Sequence, residues 1–235
     1  MTITRERVLD ALSTVYDPEL DEPITSLRFV SSCDVSADGD VKVLLRLPTP
    51  QCAPNFAFLM AADARKVVRR LPGVRGVSVK LEDHYTGAEI NAALDRGEGF
   101  IGAFPGESAD DDLAALRELF QRKALIARQS MVCEAMMADG MTAAEVVARR
   151  VADLPDVPEA RRSLELRAEL GISCSADAPA FVLPNGESLL ADGLQRWLRM
   201  ARLVRMSLEV NGGICRSLLH IRHGVAVDDS EEVAR

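Results

Sequence analysis

The chain has no run of 18 consecutive apolar residues, so no transmembrane helix is expected. Five cysteines are present, at positions 33, 52, 133, 174 and 215, yet no two form a C-x-x-C pair. A zinc ribbon and a thioredoxin-type redox centre are therefore not encoded, and most of these thiols are expected to be small core residues. Lysine is scarce, 4 against 24 arginines, and there is no basic excess, the net charge being −8. A general nucleic-acid binder would need a basic surface, so none is expected. The first residues, Met-Thr-Ile-Thr-Arg-Glu-Arg, lack an apolar signal-peptide core, and the expected location is cytoplasmic. Hydrophobic residues make up 48% of the 235 positions and charged residues 27%, the balance of a globular chain with one large or two small domains.

Periodicity divides the chain. Residues 4–15 place Val8, Leu12 and Val15 along one side of a short helix, which Asp17-Pro18-Glu19 ends. Leu27, Phe29, Cys33 and Val35 share one strand parity, as do Val41, Val43, Leu45 and Leu47, with Asp38-Gly39 as the hairpin turn between them. The period then changes: Phe56, Leu59, Met60, Ala64, Val67, Val68 and Leu71 recur at helical spacing until Pro72-Gly73. Val77, Val79 and Leu81 alternate as a third strand, completing an α-β-β-α-β order. A short helix is expected near Ala88–Arg96, and beyond residue 108 the strand signal nearly vanishes. A connector over 91–108 leads to a helical region over 109–224 and an acidic tail over 225–235. Helices are expected over about 110–138, after Thr142, over 158–170 and over 191–210, the last ending at Asn211-Gly212-Gly213. The expected fold class is α+β: a small α/β domain over residues 1–90, followed by a mainly helical domain.

The stretch Leu47-Pro-Thr-Pro-Gln-Cys-Ala-Pro-Asn55 sets one thiol, Cys52, between the end of a strand and the start of a helix. Pro54 suits the first helical turn, where its missing N–H costs nothing. Cys52 would then lie beside unpaired N–H groups at the positive end of the helix dipole, a setting that favours the thiolate. The alternative is a structural cysteine in a tight turn.

Several of these features occur in family order: Asp17-Pro18-Glu19, Ile24-x-x-Leu27, Thr49-Pro-Gln-Cys52-Ala-Pro54 with its long following helix, and Val74-x-x-Val77-x-Val79. In them the first 90 residues resemble the MIP18 family, also called DUF59, of iron–sulfur cluster assembly proteins. The resemblance implies a role in building or delivering iron–sulfur clusters or related metallocofactors, as an assembly factor and not a catalyst. It implies that Cys52 is the functional cysteine, with Asp17 and Glu19 close to it and Thr49 shaping the turn. A soft thiolate suits iron–sulfur ligation, and one such ligand per chain favours transient holding of a labile cluster or iron. The remaining ligands would come from a second protomer, a small thiol or the client, which points to a homodimer or to client and assembly-protein partners. The G-x-x-x-x-G-K of ATPase-fused relatives and the C-terminal cysteine cluster of the phenylacetate-oxygenase branch are both absent. Some two-part proteins of this look accompany di-iron monooxygenases. Two rival readings stand beside this one: a client-specific chaperone or scaffold that binds no metal, and a small hydrolase built on Cys52 and His84.

Other candidates are weaker. Cys215, His220 and His223 offer metal-binding atoms, but five residues of helix turn Cys215 and His220 about 140° apart. Arg196, Arg199, Arg202 and Arg205 form a basic face beside Trp197, readable as a membrane or acidic-partner surface or as a solvated helix face packed by its Trp. Asp110, Asp111 and Asp112 would favour the positive end of their helix. Met131, Met136, Met137 and Met141 are expected to fill a core or interface.

Overall fold

The computed structural model describes residues 3–106 and 113–225. Its contacts form two compact units: residues up to Ala114 together with those from Val210 onward, and Ala115–Glu209. The first is α/β and the second mainly helical, the fold class read from sequence.

In the α/β unit, helix α1 (Arg5–Leu12) starts at Thr4, whose hydroxyl accepts the Arg7 N–H, and buries Val8 and Leu12. A two-stranded ribbon follows, β1 (Tyr16–Asp17) pairing antiparallel with β2 (Glu22–Pro23), so Asp17-Pro18-Glu19 lies in the ribbon's turn; α1 has already ended at Leu12, with Ser13 as its C-cap, short of the expected residue 15. The main sheet has the order β3 (Val30–Val35), β4 (Asp40–Arg46), β5 (Gly76–Glu82). β3 and β4 are antiparallel through the Asp38-Gly39 turn. Gly39 has φ +88°, and a Cβ there would meet the Gly73 carbonyl oxygen at 2.4 Å, so only glycine fits. The first strand begins later than its parity implied. Arg28 takes φ +60°, which breaks the extended run, although Leu27 and Phe29 are still buried ahead of the ladder.

β4 and β5 are parallel, and parallel neighbours need a crossover, which α2 (Pro54–Arg69) supplies. α2 buries Ala57, Leu59, Met60, Ala64 and Val68, and it packs on β5 and α1. The parallel register sets Arg46 beside Glu82, so both strands end at the same edge of the sheet. The loops after them, which carry Cys52 and His84, emerge side by side. Carboxyl ends of parallel strands are where α/β folds place ligand sites. α3 (Gly87–Arg96) follows, and a short helix α4 (Phe100–Ala103) occupies part of the stretch expected to be connector.

The second unit holds α5 (Ala114–Ala138), α6 (Ala143–Val147), a 3₁₀ turn over Val151–Asp153, α7 (Pro158–Glu169) and the first part of α8 (Ala191–His223). Thr142 and Glu145 form the expected capping box. Ile126, Val132, Cys133, Met136, Phe181, Leu194, Trp197 and Leu198 share one core, so Met136 fills the core as expected and Trp197 packs its helix inward. Arg202 and Arg205 both pair with Glu134, which takes up half of the basic face. Asp110–Asp112 lie outside the described residues, as does the tail from 226.

The last helix departs most from expectation. Asn211-Gly212-Gly213 does not end it; α8 runs on to His223. Each glycine costs a helix about 1 kcal/mol relative to alanine. Leu219, only 2% exposed, returns about 1.5–3 kcal/mol by its burial, and side-chain bonds add to it. Docking therefore outweighs local propensity. The α/β unit is consequently built from two separate stretches of chain, where the sequence led us to expect residues 1–90 alone.

Candidate functional site

Cys52 sits where the sequence placed it, one residue before Ala53, the N-cap of α2, with Pro54 in the first turn. The thiol is half-buried. Its loop is tied in three ways. The Cys52 N–H reaches the Thr49 carbonyl at 3.3 Å. Thr49 Oγ1 lies 3.6 Å from Cys52 Sγ, within hydrogen-bonding reach of sulfur. The Tyr85 N–H donates to the Pro50 carbonyl at 3.0 Å, joining the loops that follow β4 and β5.

His84 also meets this loop, though not at the sulfur. Its Nε2 lies 2.8 Å from the backbone carbonyl of Cys52. Its Nδ1 accepts the Thr86 N–H at 3.3 Å and lies 3.1 Å from Thr86 Oγ1. With Nδ1 accepting a backbone N–H, the ring carries its proton on Nε2 and donates it to the Cys52 carbonyl. His84 is a brace for the turn. The Cys52–His84 hydrolase reading thus loses its base, since neither ring nitrogen faces the thiol.

The β1–β2 turn supplies the acidic groups. Asp17 is 7% exposed, and its Oδ1 accepts the N–H groups of Glu19 (2.8 Å) and Leu20 (3.0 Å). Burial raises its pKa from 3.8 to about 6; the two N–H bonds oppose the rise, while Glu19 and Glu22 add to it. A carboxylate held this way is costly to the fold.

The C-terminal part of α8 crosses this edge of the unit, and sequence reasoning missed it. Asn211 Nδ2 donates to Glu19 Oε1 (3.5 Å) and Arg216 Nη1 to Glu22 Oε2 (2.7 Å). Arg222 donates to the Pro48 carbonyl (2.9 Å) and to Asp83 Oδ2 (2.7 Å). At Gly212 the helix passes close to the Glu22 carboxylate: a Cβ there would come within 2.9 Å of Glu22 Oε1, which would have to shift. Cys215 lies among these anchors, partly buried. Burial pushes its thiol up to about 12, and Asp17, Cys52 and Glu19 contribute as neighbours. The only early signal of this arrangement was the pair of arginines beyond the glycines, which the expected helix end had set aside.

The grouping of Cys215 with His220 and His223 is not found. His220 is exposed, its Nδ1 2.8 Å from the Val225 carbonyl, and His223 lies 4.0 Å from Asp83. The helix turns His220 about 140° away from Cys215 and sets His223 about 12 Å further along its axis. Among the described residues no three His, Cys, Asp or Glu side chains are placed to hold a metal ion. No helix among them is long and apolar enough to cross a membrane.

Comparison with known proteins matches the part of the chain that carries this loop. A family model described as iron-sulfur cluster assembly protein matches residues 5–81, which include Asp17, Glu19, Thr49 and Cys52 and exclude His84 and Cys215. An uncharacterized protein of Methanocaldococcus jannaschii is 36% identical over 92 residues, 95% of its length and 39% of this chain. An Fe-S protein maturation auxiliary factor of Porphyromonas gingivalis is 38% identical over 78 residues, 72% of its length and 33% of this chain. An iron-sulfur cluster carrier protein of Deinococcus radiodurans is 36% identical over 89 residues, 37% of this chain and 23% of its own. Through its α/β unit, the chain belongs to the iron-sulfur cluster assembly protein family.

Proposed function

We propose that this protein holds an iron–sulfur cluster or iron transiently through Cys52 and passes it to a client metalloenzyme. The observation that carries the reading is the setting of Cys52: a half-buried thiol at the helix start, inside the matched residues, on a loop braced by Thr49 and His84. A single thiolate cannot complete the Cys₄ set of a common cluster, so cargo held this way stays exchangeable. Asp17 and Glu19 border the site and Thr49 shapes its turn. The rest of the ligand set would come from a second copy or from the client. In this reading the helical unit recognises the client; its exposed Leu203 and Met206 suit protein contact. A di-iron monooxygenase or similar enzyme is the client class we favour, in the cytoplasm.

The test replaces Cys52 with Ala in cells that depend on the chain, captures its metalloenzyme partner and measures that partner's iron. The variant should fold and bind the partner while the partner's iron falls at least about tenfold, as expected when the only thiolate donor of the loop is removed. Normal iron in the partner would leave a scaffold that binds no metal as the better reading.

A further inference from the structure

We propose that Cys215 is a second thiolate ligand beside Cys52, so that one chain supplies two of the sulfurs that grip its cargo. The inference rests on the transfer role proposed above and deepens it. Nothing in the family match reaches Cys215, because the matched residues end at 81.

On α8, Asn211, Cys215 and Arg222 share one face: four residues advance the helix by about 40° and seven by about −20°, relative to whole turns. Asn211 bonds Glu19, beyond Asp17 in the β1–β2 turn. Arg222 bonds the carbonyl of Pro48, at the start of the loop that carries Cys52. Cys215 lies between these anchors, about 6 Å along the axis from one and about 10 Å from the other. Its side chain is thereby directed at the gap between the acidic turn and the Cys52 loop, and Cys52, Asp17 and Glu19 are its electrostatic neighbours. Asp17 is nearly buried there and accepts the Glu19 and Leu20 N–H groups on Oδ1.

Two thiolates are soft donors, which suits a thiophilic cation or a cluster iron, and Asp17 and Glu19 add negative charge in the neighbourhood without completing a metal site. Each S–H gives its proton to solvent as its sulfur binds, and no electron changes hands. Two sulfurs from the chain leave two positions of a Cys₄ set open to the recipient.

The test uses the full chain, reduced and anaerobic, with the exposed Cys174 changed to Ser in every sample so that it cannot compete. Cadmium(II) is the probe, read by its affinity and by the sulfur-to-metal charge-transfer absorbance per bound ion. The parent should bind one equivalent. Cys52→Ser and Cys215→Ser should each weaken binding by about 100-fold and halve the absorbance per ion, and the double variant should bind none. Cys215→Ala must match Cys215→Ser, with unchanged amide exchange in the sheet showing that the fold is intact. A Cys215→Ser protein that binds like the parent, while Cys52→Ser does not, overturns this inference and leaves the Cys52 reading standing. Parent-like binding by Cys52→Ser would remove Cys52 itself, and a parent that binds no cadmium overturns the two-thiol site.

Discussion

Asp17→Asn is expected to strengthen the α/β unit at neutral pH by about 2–3 kcal/mol, the largest gain available to a single substitution here. Asparagine keeps the acceptor that takes the Glu19 and Leu20 N–H groups and removes the buried charge. The sign follows from the raised pKa. Below pH 3.8 the carboxyl is protonated in both folded and unfolded chains and costs nothing. Between 3.8 and about 6 the unfolded chain ionises while the folded one keeps its proton, so stability falls as pH rises. Above 6 the full cost is present. The advantage of Asp17→Asn should therefore be near zero at pH 3.5 and complete by pH 7.5. Amide exchange of the β3–β4–β5 ladder measures it in this unit alone. A variant no more stable at pH 7.5 would mean the carboxylate is not held against its preference. The position gives up stability, a cost that the transfer role proposed above would account for.

The largest loss is expected at Arg167, in the helical unit. It is 1% exposed and has no carboxylate partner among the described residues; its guanidinium donates to the carbonyls of Pro179 (2.9 Å), Ala180 (3.2 Å) and Ser173. Nε finds no partner, and burial lowers the guanidinium pKa from its ordinary value. Two effects oppose each other. Removing a buried, uncompensated cation is favourable, yet three carbonyls lose charge-assisted bonds of about 1.5–3 kcal/mol each and a cavity opens. The bonds outweigh the charge, and Arg167→Ala should cost about 3–5 kcal/mol. Trp197, the single tryptophan and part of the same unit's core, reports this directly in a urea titration. A loss below about 1 kcal/mol would show that the carbonyls find water instead.

Local signals explain which features were legible in the sequence. The switch from a two-residue to a helical period at Pro48–Asn55 located β4, α2 and the Cys52 turn, because a strand end, a proline at the first helical position and an apolar stripe all agree there. Thr142-x-x-Glu145 gave a capping box for the same reason. The α8 tail was not legible: Gly212-Gly213 is a strong local stop, and what overrides it is docking of Leu219, Arg216 and Arg222 on residues some 140 to 200 positions away. His84 was legible as a neighbour of Cys52 but not as a brace. Proximity follows from the parallel register of β4 and β5, whereas the hydrogen-bond partner depends on loop geometry. The Arg196–Arg205 face could not be read from spacing, because Glu134, which neutralises part of it, lies on another helix.

Anaerobic reconstitution with ferrous iron and sulfide, followed by iron and sulfide per chain and visible absorbance, tests the central claim most directly. The account predicts that the unaltered chain takes up both and becomes coloured, while Cys52→Ala, equally folded, retains less than about a tenth. Equal uptake by Cys52→Ala would contradict it.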